Sequence, residues 1–298
     1  MFTQVLIPLD GSATAETILP LAGHWVEALK LPVELLAVIN LRELLTSSEK
    51  ARRFDKLIES ETNASAAYLK KIAARFPAAQ VKCAVEQGVA EESIIAHADT
   101  FPGTLIAMAT HGRSGIDRWL MGSVAEKVLR GTKAPLLLTR ARPVANRQAA
   151  ASIERVIVPL DGSELAEKVL PMTGELAARL KLGVLLLRVY QMPSPLYPGG
   201  HGFHSVQVFE DAAAQERDNL AYLEKHAEAL RQSGIEVSTS VREGFGGDEI
   251  IALARDTPNS LIAMSSHGGS GPGRWLLGSV AESVARHAVC PVLVYRSS

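Results

Sequence analysis

The strongest constraint on this chain is an internal repeat. Residues 4–20 (QVLIPLDGSATAETILP) recur as residues 155–171 (RVIVPLDGSELAEKVLP), with ten of seventeen positions identical. Residues 118–130 (RWLMGSVAEKVLR) recur as residues 274–286 (RWLLGSVAESVAR), with ten of thirteen identical. Because the matching segments lie about half a chain apart, the repeat predicts two copies of one domain rather than a solenoid, whose units have ~20–50 residues.

The length agrees with two domains. The chain has 298 residues, and domains commonly contain ~100–200 residues. Residues 142–152 are mostly small or polar and predict a linker. We therefore expect one domain at residues 1–141 and a second at residues 153–298.

Short apolar runs alternate with helical patterns in each half. In the first half the expected strands are Val5–Leu9, Val33–Ile39, Val81–Glu86, Thr104–Ala109 and Pro135–Thr139. Strands separated by helices of ten or more residues predict parallel βαβ units. The runs are apolar almost throughout, which is typical of a sheet covered by helices on both faces. The fold class is therefore α/β, with two similar doubly wound, Rossmann-like sheets.

Composition excludes several classes of function. The chain carries 31 basic and 32 acidic side chains, a net charge of −1. A nucleic-acid partner is not expected, since it requires a clustered excess of Lys and Arg. No stretch has the ~18–20 uncharged apolar residues of a membrane span, and no secretory signal is visible. The sequence thus predicts a cytoplasmic protein with neither nucleic acid nor membrane as partner.

Two loops in each half carry candidate chemistry. Open parallel sheets bind ligands beyond the carboxyl ends of their strands. Asp10 follows the first strand, and a loop with Gly112, Gly122 and Ser123 follows the fourth. Glycines let backbone amides approach an anion, and a helix that opens at Ser123 adds unpaired N–H groups. The counterparts in the second half are Asp161, Gly268, Gly278 and Ser279.

The same residues also have purely structural interpretations. Ser123 to Glu126 reads as a capping box, which needs no ligand. Asp10 to Ser12 reads as a turn and helix cap. Neither half has a GxxxxGK[ST] phosphate loop or a GxGxxG after the first strand. The spacing alone leaves a phosphate site and simple turns both open.

Each half resembles a universal stress protein domain over nearly its full length. The resemblance rests on VPLDGS or IPLDGS at the end of the first strand, on the phrase M-x-[ST]-HG-x-SG, and on GSVAE-x-V. The ATP-binding branch of that family carries G-x2-G-x9-G-[ST]. Gly112, Gly122 and Ser123 match its later portion. Its first glycine is replaced by Ala109 in one half and Ser265 in the other.

The resemblance implies a fold, a ligand and a set of contacts. The fold is a five-stranded parallel sheet of order 3-2-1-4-5 per half, arranged as an internal pseudo-dimer joined through the last strands. A further homodimer and unidentified protein partners are compatible with it. The ligand is ATP, alone or with Mg²⁺, held between strands one and four as a regulatory ligand in stress response. Asp10 and Asp161 would contact the nucleoside, and the backbone at Val38 and Val189 would contact adenine. The phosphates would contact Gly112, Gly122, Ser123, Val124, Gly268, Gly278, Ser279 and Val280.

Catalytic patterns are missing from the sequence. It has no nucleophile elbow, no carboxylate pair placed for acid–base work and no cluster with metal-ligand spacing. We therefore expect a binding or sensing protein, at most a slow ATPase. The alternatives are a ligand-free interaction scaffold of the same fold, which Ala109 and Ser265 favour, and an enzyme of the adenine-nucleotide α-hydrolase-like group. The latter is poorly matched, because PLDGS replaces its SGGxDS-type loop.

Overall fold

The structure is a computed structural model of the full chain. It describes residues 2–40, 54–110, 121–140, 153–191, 205–266 and 277–296. The statements below concern these residues. The expected linker at residues 142–152 lies outside them, as do Gly112 and Gly268 of the expected site.

The two halves have the same order of elements. The first half contains β1 (Gln4–Pro8), a 3₁₀ turn (Ala15–Ile18), α1 (Leu19–Leu29), β2 (Val33–Ile39), α2 (Phe54–Ala73), β3 (Val81–Gln87), α3 (Ala90–Thr100), β4 (Thr104–Ala109), α4 (Ser123–Gly131) and β5 (Leu136–Thr139). The second half contains β6 (Arg155–Pro159), α5 (Glu164–Glu167), α6 (Leu170–Leu180), β7 (Gly183–Tyr190), α7 (Ser205–Arg231), β8 (Val237–Glu243), α8 (Gly246–Asp256), β9 (Ser260–Ser265), α9 (Ser279–His287) and β10 (Val292–Tyr295).

All ten strands belong to one sheet. Its order is β3-β2-β1-β4-β5-β10-β9-β6-β7-β8, so each half has the expected order 3-2-1-4-5. The pairs within each half are parallel. The halves join where β5 and β10 pair antiparallel, with Leu137 opposite Leu293. The expectation of a pseudo-dimer joined through the last strands is confirmed, and the joint makes the two sheets continuous.

Helices cover both faces of this sheet. Side chains of α1, α2, α6 and α7 pack on one face, in a core that includes Trp25, Leu69 and Leu223. Side chains of α3, α4, α8 and α9 pack on the other face, in a core that includes Val128 and Val284. This two-sided burial explains why the strand runs are apolar throughout rather than alternating. None of the described helices has the length and apolar character needed to cross a membrane.

Two reciprocal ion pairs link α4 and α9 across the joint. Arg286 Nη2 lies 2.7 Å from Glu126 Oε1, and Arg130 Nη2 lies 2.6 Å from Glu282 Oε1. The capping-box interpretation of these glutamates is therefore wrong. The N-cap of α4 is Gly122, without a side-chain cap hydrogen bond. The glutamates turn to arginines of the opposite half because they find a charged partner there.

Candidate functional site

A tight turn follows β1 at the carboxyl edge of the sheet. The Ser12 N–H donates to Oδ1 of Asp10 at 2.9 Å, and the Ala15 N–H donates to Oγ of Ser12 at 3.0 Å. Gly11 has φ of 78°, a region that glycine enters without steric cost. Asp161 and Ser163 repeat the turn in the second half. The turn interpretation thus holds, and it fixes the Asp10 carboxylate at the end of the strand.

The start of α4 lies beside the end of β4. The Gly122 N–H donates to the carbonyl O of Thr110 at 2.6 Å, which brings the chain back to the strand end. The first amides of a helix have no acceptor within the helix and carry partial positive charge. Since the N-cap residue Gly122 makes no side-chain cap hydrogen bond, the first turn of α4 is suited to bind an anion. The second half repeats this arrangement with a bond of 2.9 Å from the Gly278 N–H to Ser266 O.

The position of the missing motif glycine is part of a strand in both halves. Ala109 is the last residue of β4 and pairs with Thr139. Ser265 is the last residue of β9 and pairs with Tyr295. Neither has a positive φ. A small side chain is therefore compatible with the backbone at this point, and glycine is not required for its conformation.

A cavity of about 660 Å³ opens between these two loops in the first half. The structure brings the described first-half residues of the expected site together in its wall: Asp10, Val38, Gly122, Ser123 and Val124. The described second-half residues lie at the equivalent places. Asp161 follows β6, Val189 is in β7, Gly278 caps α9, and Ser279 and Val280 begin α9.

Helix α2 supplies a wall that the sequence did not predict. Glu61, Ala64, Ser65 and Tyr68 line the cavity from this helix. Their spacing of three or four residues places them on one helix face. That spacing could have indicated a shared face, but only the packing of α2 on the sheet shows that this face lies beside the strand ends.

An ion pair at the rim of the cavity was also missed. Lys127 Nζ lies 2.6 Å from Glu91 Oε1, and both residues line the cavity. Lys127 is on α4, one turn after Ser123. The lysine side chain is 60% exposed, so the pair joins α3 to α4 in contact with solvent and places a cation near the start of α4.

A tyrosine on α2 is held by an acidic partner. The Tyr68 hydroxyl donates to Oε1 of Glu16 at 3.3 Å. Burial, and after it the charge of Glu16, raises the pKa of Tyr68 well above its ordinary value. The phenol consequently stays protonated at neutral pH and remains a donor. In the second half Tyr222 donates to Glu167 at 2.8 Å, and burial likewise raises its pKa.

The cavity combines several kinds of surface. It offers helix amides at one end, a carboxylate at the strand tip, and small or apolar side chains such as Ala37 and Met108. This combination suits a ligand with an anionic end, hydroxyl groups and a flat apolar part. Among the described residues, no three His, Cys, Asp or Glu side chains are grouped so as to hold a metal ion.

Comparison with known proteins agrees with this fold. The model of the universal stress protein family matches the chain twice, over residues 1–140 and 152–296. The chain is a tandem member of the universal stress protein family.

Individual relatives match one half of this universal stress protein at a time. The universal stress protein MJ0531 of Methanocaldococcus jannaschii is 30% identical over 144 residues, covering 48% of this chain and 82% of the relative. The universal stress protein YxiE of Bacillus subtilis is 29% identical over 145 residues, covering 48% of this chain and 98% of the relative. Both are similar in length to a single domain, as the repeat implies.

A solved structure matches both halves together. The crystal structure of a universal stress protein from Archaeoglobus fulgidus has a TM-score of 0.72, with 99% of each chain covered and 22% identity. At this identity the likeness concerns the fold alone. It extends over the whole tandem arrangement.

Proposed function

We propose that this universal stress protein binds ATP as a regulatory ligand in the crevice of its first half. The observation that carries the proposal is that Asp10 and the start of α4 line one open cavity. As part of the proposal, nucleotide occupancy is read by protein partners during the stress response in the cytoplasm.

The phosphate end of the ligand is assigned to the start of α4. The amides of Ser123 and Val124 and the Ser123 hydroxyl supply donors there. Gly112 belongs to the same proposal through the family motif. Lys127 of α4 adds a cation to the cavity wall, where its side chain pairs with Glu91 of α3. Mg²⁺ would enter with the nucleotide and offset part of the phosphate charge.

The nucleoside end is assigned to the tips of β1 and β2. Asp10 can accept hydrogen bonds from ribose hydroxyls, and the backbone at Val38 can pair with the edge of adenine. Ala37 is beside Val38 and leaves room because its side chain is a single methyl group. A volume of about 660 Å³ lies in the range of ~300–1,000 Å³ usual for small-molecule sites.

Titration calorimetry of the full chain with ATP and Mg²⁺ tests the proposal. We expect saturable binding, which Asp10→Ala weakens roughly ten- to hundredfold, because a hydrogen bond to a charged acceptor contributes ~1.5–3 kcal/mol. Ser123→Ala should weaken it less, because the backbone amides remain. Neither heat nor a thermal shift at millimolar ATP would contradict the proposal.

The replaced glycines favour the ligand-free scaffold less than the sequence alone suggests, because their backbone conformation does not require glycine. Ala109 and Ser265 are in extended strands, where a small side chain is tolerated. An adenine nucleotide that co-purifies with the chain, identified by mass spectrometry, would count further against that alternative.

A further inference from the structure

One difference between the two halves lies near the end of the second strand of each. β1 and β2 pair in the same register as β6 and β7. Ala37 of β2 therefore corresponds to Arg188 of β7. A methyl group in one half is replaced by a long cationic side chain in the other, at the same point of the carboxyl edge.

Arg188 is half-buried, and its side chain lies across the strand ends. Its Nη1 donates to the carbonyl O of Leu160 at 3.3 Å, and its Nε donates to Oδ1 of Asn219 at 3.0 Å. Its Cζ lies 5.4 Å from the ring centroid of Tyr222. A Cβ at Gly162 would be only 2.9 Å from Nη1. The guanidinium thus sits between the turn after β6 and helix α7.

The corresponding place in the first half is open. Tyr68 and Tyr222 are equivalent, since each donates to the glutamate that follows the strand turn. Asn219 precedes Tyr222 by three residues, as Ser65 precedes Tyr68. The first-half counterparts of the residues around the Arg188 guanidinium all line the cavity: Gly11, Ala37, Ser65 and Tyr68. The Arg188 side chain consequently occupies the space that is part of the cavity in the first half.

Asn219 fixes the guanidinium in this position. Its side chain is buried, with 9% exposure, and its amide oxygen accepts from Arg188. Ser65 has a shorter side chain and faces alanine rather than arginine. A ligand that entered the second crevice would have to separate Arg188 from a backbone carbonyl, an amide oxygen and a ring face together.

We propose that Arg188 closes the second crevice to nucleotides, so that the chain binds one nucleotide, in its first half. The inference rests on the proposed function, because the single nucleotide is the ATP assigned there to the first half; the closure of the second crevice by Arg188 is the new part. In this proposal Arg188, held in place by Asn219, determines which of the two crevices binds the nucleotide.

The first test is the stoichiometry of ATP with Mg²⁺ on the full chain, measured by calorimetry. We expect one equivalent per chain. Asp10→Ala should remove it or weaken it at least tenfold, and the matched Asp161→Ala should leave affinity and stoichiometry unchanged. Two equivalents, or one equivalent that responds to Asp161→Ala and not to Asp10→Ala, would overturn the inference.

The second test opens the closed crevice. Arg188→Ala with Asn219→Ser gives the second half the first-half side chains at these two positions. We expect this variant to bind two equivalents of ATP per chain. Arg155→Ala is the control, because it removes an arginine of the same half whose side chain is 40% exposed; it should keep one equivalent. A variant that folds, by circular dichroism, and still binds one equivalent would overturn the role of Arg188. If the double variant does not fold, the stoichiometry of ATP is measured on the single variant Arg188→Ala instead.

Failure of the inference can be told apart from failure of the proposed function. Two equivalents in the unaltered chain contradict the inference and leave nucleotide binding intact. No binding to the unaltered chain, together with one equivalent in the opened variant that Asp161→Ala removes, contradicts the proposed first-half site and supports the closure by Arg188.

Discussion

The two crevices are bounded by equivalent backbone turns, but different side chains lie between those turns. In both, an Asp-Gly-Ser turn follows the first strand, and a glycine returns the chain to the end of the fourth strand. In the first half these turns enclose a cavity, whereas in the second Arg188 reaches across to Leu160 and Asn219. The two halves thus repeat the same backbone turns, while the side chains placed between those turns differ.

The rims of the crevices differ as well. Glu91 and Lys127 form an ion pair beside the first crevice. Their counterparts in the second half are Gly247 and Ser283, and a Cβ at Gly247 would lie 3.0 Å from the Ser283 Oγ. Helices α8 and α9 therefore approach closely where α3 and α4 are separated by a charged pair. Among the described residues, the second half has Ser283 where the first half has Lys127, beside the proposed phosphate position.

The largest effect on ATP binding is expected from closing the first crevice. Ala37→Arg with Ser65→Asn gives the first half the side chains of the second. We expect ATP affinity to fall more than hundredfold, which corresponds to more than ~2.7 kcal/mol, because the guanidinium would occupy the proposed nucleoside subsite. Calorimetry with ATP and Mg²⁺ measures the change.

A matched control separates this effect from general damage. Cys83→Thr also gives the first half a residue of the second, at an exposed position of β3 away from the cavity. It should leave affinity unchanged. Undiminished binding by the Ala37→Arg, Ser65→Asn chain would show that the guanidinium does not compete with the nucleotide.

Much of the fold could be predicted from the sequence, because strand patterns and the repeat depend on local composition. For the candidate site, the sequence indicated that Asp10, Gly122 and Ser123 lie at one edge of the sheet, where the structure shows them lining one cavity. Arg188 was missed, although an arginine in the apolar run GVLLLRVY is a visible irregularity. Its role depends on Asn219, a residue of α7 placed by tertiary packing. The capping-box prediction failed for the same reason, since Glu126 pairs with Arg286, 160 residues away, in addition to Arg130 of its own helix.

The two halves meet at the joint between β5 and β10, where Arg130 and Arg286 form ion pairs between α4 and α9. Substituting each arginine tests how much these ion pairs stabilise the chain. Arg286 contacts Glu126 and Glu282 with a side chain that is 21% exposed, whereas the equivalent Arg130 is 41% exposed. We expect Arg286→Ala to lower the free energy of unfolding by roughly 1–3 kcal/mol and Arg130→Ala by about 1 kcal/mol or less. Urea denaturation measures both. Equal losses in the free energy of unfolding would show that the lower exposure of Arg286 does not make its ion pairs more stabilising than those of Arg130.

A smaller effect concerns the paired tyrosines. Tyr222 donates to Glu167 at 2.8 Å and Tyr68 to Glu16 at 3.3 Å, so Tyr222→Phe should cost about 1–1.5 kcal/mol and Tyr68→Phe less. Burial first, and then the glutamate, raises the pKa of each tyrosine in the folded chain. The stabilisation is therefore fully present below the ordinary tyrosine pKa of about 10 and is lost as the pH rises through and above it.

The measurement for the tyrosines is urea unfolding at several pH values. The unaltered chain and each Phe variant should differ at pH 7 and converge above about pH 10. A difference that stays constant to pH 11 would indicate that the phenol makes no pH-dependent contribution. Glu16→Gln, which keeps an acceptor and removes the charge, should reduce the pH dependence of Tyr68 alone.

The smallest expected effect is at the replaced motif glycine. Ala109→Gly restores the family motif in the first half, and Ser265→Gly restores it in the second. Both positions are extended strand ends with no positive φ, so a glycine gains no conformation that the present residue lacks. We expect ATP affinity to change by about twofold or less, ~0.4 kcal/mol, with a loss of stability of roughly 0.5–1 kcal/mol from the added backbone freedom.

If Ser265→Gly, with Arg188 in place, produced a second equivalent of bound ATP, the difference between the crevices would lie in the glycine motif. If Ala109→Gly and Ser265→Gly both leave the stoichiometry at one, the glycine motif does not account for the difference between the crevices.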